Sequence, residues 1–157
     1  KEYVLMTNND TLRRLRYALN IDDAKVAEII AHTGRATTPD EVLNWLKRED
    51  EKGYTDLPHD LLCRFLDGLI IEKRGKKDGP QPPPETRLSN NIVFRKLKIA
   101  LNLQAEDVLK ILNQGDFRMS KHELSAFFRK PEHKHYRDCK DQVLRNFLKG
   151  VQVKYRA

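Results

Sequence analysis

Cysteine is scarce in this chain: Cys63 and Cys139 are the only two among 157 residues, and they form no C-x-x-C pair. That excludes a disulfide-dense scaffold and suits two free thiols in a reducing compartment. Glycine is scarce as well, at seven residues, which speaks against a fold of many tight β turns. No run approaches the roughly 20 continuous apolar residues of a membrane span. The N-terminus lacks the basic-then-apolar pattern of a secretory signal, so the cytoplasm is the expected location and no membrane partner is expected. There is no Gly-rich phosphate loop either, because the glycines of "RGKKDG" (74–79) fall in a linker and not between a strand and a helix.

What the chain does have is charge and self-similarity. Lys, Arg, Asp and Glu make up 34% of it and the net charge is +7, a balance typical of helices with solvated faces. "LRRLRYALN" (12–20) returns as "FRKLKIALN" (94–102), and the offset of 82 holds along the whole sequence. It pairs Asn8 with Asn90, Leu15 with Leu97, Glu41 with Glu123, Tyr54 with Tyr136 and Gly68 with Gly150, without an insertion. The expected organisation is therefore an N-terminal extension (1–6), a first repeat (7–75), a Pro/Gly linker (76–88) and a second repeat (89–157). The copies are expected to lie side by side or to dock as a pseudo-dimer. Charge divides unevenly between them. Residues 7–75 hold 11 Lys/Arg against 13 Asp/Glu, a balance of −2, whereas residues 87–157 hold 16 against 7, a balance of +9.

Periodicity predicts an all-α fold with four short helices per repeat. Leu12, Leu15, Ala18 and Leu19 recur at helical spacing, with Asn8 or Asn9 as the cap and Asn20 suited to a left-handed C-terminal turn. A second helix carries Val26, Ile29 and Ile30 and stops near Gly34. "TPDE" (38–41) and "SKHE" (120–123) read as capping boxes opening a third helix. The fourth, rich in Leu and Phe, holds Gly68 or Gly150 in its interior. A glycine there costs roughly 1 kcal/mol against alanine, so its presence in both copies predicts a close helix crossing.

"NNDTLRRLRYALNIDDAKVAEII", "FLDGLIIEKRG", "NNIVFRKLKIALNL" and "MSKHELSAFFRKPEHKHYRDCKDQVLRNFLKG" resemble the bacterial YehS-like family, tandemly duplicated proteins with a domain of unknown function. The resemblance implies a small cytoplasmic bacterial protein and brings no activity, cofactor or catalytic residue with it. A looser likeness is to helix-turn-helix domains. There the longer turn, with Gly34 seven residues after Ala27, departs from the usual spacing.

Candidate sites follow from the charge asymmetry. In the first repeat Asp22, Asp23, Glu49, Asp50 and Glu51 offset Arg13, Arg14, Arg16, Lys47 and Arg48, and the basic residues read as a solvated face. In the second repeat Arg95, Lys96, Lys98, Lys121, Arg129, Lys130, Lys134, Arg137 and Lys140 have few acidic neighbours. These nine are the expected contacts to an anionic partner. Tyr136 lies among them, but Tyr54 holds the same place in the acidic copy, which favours packing for both rings. His122, Glu132, His133, His135, Asp138 and Cys139 contain metal-ligand types. The first repeat has Leu57 opposite Cys139, however, which favours a buried hydrophobe over a ligand. Asp22 and Asp23 read as helix-start acids.

The expected function is a non-catalytic helical module binding DNA or RNA through the second repeat, without a cofactor. The alternative is a protein–protein adaptor, a monomeric pseudo-dimer or a homodimer, whose partner is an acidic protein. Surface exposure of Trp45 or Phe128 would favour that alternative.

Overall fold

A computed structural model describes residues 6–156, and the start of the expected N-terminal extension, residues 1–5, lies outside the described residues. Eight helices and no strand occur among the described residues: α1 (Asn8–Ala18), α2 (Asp23–Ala31), α3 (Pro39–Leu46), α4 (His59–Arg74), α5 (Asn90–Ala100), α6 (Ala105–Gln114), α7 (Lys121–Ala126) and α8 (Asp141–Tyr155). Each repeat supplies four, as the periodicity predicts.

Local chemistry sets the boundaries. Thr38 and Ser120 each accept from the backbone N–H three residues on, while Glu41 and Glu123 reach back to the cap N–H. Both orphan donors at the start of α3 and α7 are thereby satisfied. Asn20 and Asn102 take φ of 55° and 54° after α1 and α5, the left-handed turn that asparagine tolerates. The cap of α1 is a correction: Thr7 and Asp10 form the capping box, and neither Asn8 nor Asn9 caps. Those amides bridge distant backbone instead. Asn9 Nδ2 donates to the carbonyls of Trp45 (3.0 Å) and Thr55 (2.9 Å), and its Oδ1 accepts from the Leu57 N–H (2.9 Å). Asn91 repeats the clamp on Phe127, Arg137 and Cys139.

Within each repeat the long last helix packs on the second, α4 on α2 and α8 on α6. At Gly68 a Cβ would overlap the Ile29 carbonyl, and at Gly150 the Ile111 carbonyl, which gives the predicted close crossing its physical reason. Between repeats the docking is reciprocal: α4 packs on α5, and α8 packs on α1. Of the two arrangements expected, the pseudo-dimer is the one observed. A single core runs through both halves, joining Leu15, Ile29, Phe65 and Leu66 to Phe94, Leu97, Ile111 and Phe147. The linker is laid along α4, where Glu85 N–H donates to Cys63 Sγ (3.3 Å) and Leu88 N–H to His59 Nδ1 (3.2 Å).

Candidate nucleic-acid interface

Helix α7 is only six residues long, and the chain leaves it into an irregular segment, residues 127–140, before α8 begins. An irregular segment rich in lysine would ordinarily sample many conformations. Here the Asn91 amide fastens it at three points, to Phe127 O (3.0 Å), Arg137 O (2.8 Å) and Cys139 N–H (2.9 Å). Arg137 N–H also donates to Ala126 O (3.1 Å), and Asn90 Nδ2 donates to Cys139 O (3.0 Å). Buried backbone groups need such partners, and satisfying them fixes where the basic side chains emerge. Lys130, Lys134, Arg137 and Lys140 are all exposed, and none of them forms an ion pair among the described residues. The Arg137 charge lies near enough to Glu123 to help hold that carboxyl below the usual range, after the Ser120 hydrogen bonds that do most of it.

Three of the nine predicted cations converge on one feature. Lys98 from α5, Lys121 from the start of α7 and Arg129 just beyond its end surround a hollow of about 290 Å³, with Phe128 and Leu124 in its lining. Lys98 Nζ lies 5.6 Å from the centroid of the Phe128 ring. Lys121 pairs with Glu106 at 2.8 Å, both side chains being largely exposed; such a pair contributes little and exchanges readily. Arg129 Nη1 stands 3.5 Å from His133 Nε2.

Two of the nine lie elsewhere. Lys96 is only 13% exposed and is held by Asp67 (2.6 Å) and Glu85 (3.1 Å) across the repeat boundary. Burial pulls its pKa down, but the Asp67 bond and the surrounding negative charge outweigh that and leave it raised. It is an internal strut, not a surface contact. Arg95 lines a separate cavity of about 490 Å³ between α4, α5 and the prolines of the linker, away from the hollow. The same helix thus sends Lys98 and its two basic neighbours to different sides.

The residue that the sequence pattern does not place at the site of the nine cations is Phe128, which it marks only as an aromatic whose exposure would favour a protein partner. A signal for it exists: the aligned position in the first repeat is Leu46, so the ring is particular to the basic copy. Tyr136, by contrast, behaves as scaffold. Both it and Tyr54 are half-buried, and each has its pKa raised by burial and by the acid two residues on, Asp138 or Asp56. Of the two aromatics whose exposure would favour an adaptor, Trp45 is covered at 4% exposed and Phe128 is half-buried.

The histidine and cysteine cluster does not bring three metal-ligand atoms together among the described residues, although the His133 and His135 rings lie 5.5 Å apart. His122, His133 and His135 are exposed, whereas Cys139 is 4% exposed, like Leu57 at the aligned place. Burial pushes its thiol up to about 12. Among the described residues the trio with metal-ligand atoms close together is Glu28, His32 and Glu72. There the Lys25 ammonium already bonds Glu28 (2.8 Å) and Glu72 (2.6 Å). Asp22 caps α2, accepting from Lys25 N–H at 2.8 Å. No helix among the described residues is long and apolar enough to cross a membrane.

Comparison with known proteins finds two tandem copies of one unit. The family described as "Protein of unknown function (DUF1456)" matches residues 8–75 and again residues 90–157. The chain is also similar to "Uncharacterized protein YehS" of Escherichia coli (strain K12), 43% identical over 150 residues that cover 95% of this chain and 96% of the relative. No solved structure matches.

Proposed function

The chain belongs to the DUF1456 family, and on that premise we propose that it is a non-catalytic module that binds nucleic acid through the basic surface of its second repeat. One observation carries this reading. Lys130, Lys134, Arg137 and Lys140 project from a segment whose backbone is clamped by Asn91, and they are free of ion pairs among the described residues. Cations held in place without internal partners retain their charge for an external anion. Phosphates neutralised by such cations release counterions, which makes binding steeply dependent on salt. The first repeat supports the contrast, since its Lys47 donates to the Lys52 carbonyl (2.7 Å) and its Arg13 to Asp10 and to the Lys47 carbonyl (2.9 Å).

The test is binding of mixed DNA and RNA pools across a salt series, with wild type compared to a variant in which Arg129, Lys130, Lys134 and Arg137 are changed to Glu. The expected outcome is a log–log salt slope shallower by about one for each phosphate no longer neutralised, with affinity falling at every salt concentration. A flat salt response in the wild type, or equal binding by the variant, overturns the reading. Nuclease-resistant capture of an acidic protein through the same face would put the adaptor in its place.

A further inference from the structure

We propose that the hollow between α5 and α7 seats one unpaired nucleotide of a single-stranded nucleic acid, its base against the Phe128 ring and its phosphates on Lys98, Lys121 and Arg129. This rests on the basic-surface reading and narrows it to one class of ligand.

The floor of the hollow suits a flat ring. Phe128 is half-buried and backed by Phe94, with ring centroids 5.1 Å apart, so it is held by the core and does not swing freely. Aromatic faces accept a stacked base of any identity, and such stacking adds to what the charges contribute. Lys98 now stands over the ring at 5.6 Å. Its flexible four-carbon stem lets the ammonium follow a phosphate while a base takes the ring face. Lys121 exchanges an exposed partner, Glu106, for a phosphate at little cost. At about 290 Å³ the hollow is at or below the small end of ligand pockets, sized for one ring and not for a large cofactor.

The duplication supplies an internal control, because the same scaffold was built twice. Where the second repeat has Phe128, Lys121 and Ala105, the first has Leu46, Pro39 and Asp23. Arg16, the counterpart of Lys98, is turned to the Ile21 carbonyl (3.3 Å). The ring and one cation therefore change together at one location, while the acid shifts by one residue, from Asp23 in the first repeat to Glu106 in the second.

Duplex nucleic acid fits this geometry poorly. Paired bases are stacked on one another and offer edges and phosphates, not faces. Helix α7, at six residues, is also short for a helix that fills a major groove. An unpaired base is what reaches a recessed ring.

The experiment is fluorescence anisotropy of the full chain with labelled oligouridylate, oligothymidylate and a hairpin duplex of matched phosphate count. Wild type is expected to bind at least one single strand more tightly than the hairpin. F128L, which installs the first repeat's residue, is expected to weaken that binding by about 5- to 100-fold with an unchanged salt slope, and F128Y to restore it. Lys98→Met, which leaves the core alone, is expected to weaken binding and to lower the slope by about one. If F128L binds like wild type, or the hairpin binds as tightly as both single strands, the seat is overturned while a salt-dependent basic surface still stands. Absence of all salt-dependent binding in the wild type overturns both readings.

Discussion

The Gly150 backbone lies so close to the carbonyl oxygen of Ile111 that a Cβ at residue 150 would overlap it, and Gly68 stands in the same relation to Ile29. This closeness sets the spacing of α8 on α6 and of α4 on α2. Alanine is the better helix former by about 1 kcal/mol, yet Gly150→Ala and Gly68→Ala are each expected to destabilise by about 1–3 kcal/mol through overpacking against rigid backbone. Urea unfolding checks this, and a raised midpoint for either variant would contradict so close a crossing.

Asn91 satisfies three backbone groups at once. Asn91→Ala leaves buried polar groups without partners and is expected to cost about 2–4 kcal/mol. Asn91→Asp is expected to be no better, because a carboxylate cannot donate to the Phe127 and Arg137 carbonyls. Hydrogen exchange at the Cys139 amide should accelerate before the rest of the chain responds in Asn91→Ala, which removes its acceptor, and less in Asn91→Asp, whose carboxylate still accepts from it.

Lys96 and Lys98 separate stability from binding. With the folded pKa of Lys96 raised above its ordinary 10.5, its stabilisation is fully present below that value and is lost as pH rises through the folded one. Lys96→Met is expected to lower stability by about 1–3 kcal/mol near neutral pH, with the gap to wild type narrowing above about pH 10.5, and to leave nucleic-acid affinity unchanged. Lys98→Met should do the reverse, with stability within about 0.5 kcal/mol of wild type. Paired unfolding and binding measurements on the two variants decide it.

Both thiols should be inert in the folded protein. Burial is the main cause that pushes Cys63 up to about 11 and Cys139 up to about 12, so almost no thiolate exists near pH 8. Labelling by a thiol reagent is expected to be slow under native conditions and to reach two equivalents on unfolding. Rapid native labelling of Cys139 would show that the basic segment opens.

Much of the fold is legible in the sequence because its signals are local. The capping boxes at Thr38 and Ser120 and the left-handed Asn20 follow from backbone chemistry within a few residues, and the paired Gly68 and Gly150 are flagged by recurring in both copies inside a helix rich in Leu and Phe. Asn8 and Asn9 look like α1 caps by type and position, yet both amides are engaged by backbone more than thirty residues away, which no local pattern reports. The site is half legible for the same reason. Clustered charge locates the second repeat, but Lys96 and Lys98, two residues apart, part company only through the register of α5 against α4 and α7. Phe128 adjoins Phe127 in the chain, and helical periodicity alone does not separate the half-buried ring from Phe127, which is 7% exposed.

The reciprocal docking of α4 on α5 and α8 on α1 also bears on valency. A homodimer of identical chains must display every surface twice, and dilution can pull it apart. Here the two halves are tethered by residues 76–88, which keeps their effective concentration high whatever the total concentration of protein. Symmetry no longer binds the halves to the same surface chemistry, so one can keep an acidic, self-satisfied exterior while the other gathers unpaired cations. On the proposed reading, each molecule would present a single basic face, and a long strand would collect such molecules one by one along its length without being cross-linked by any of them.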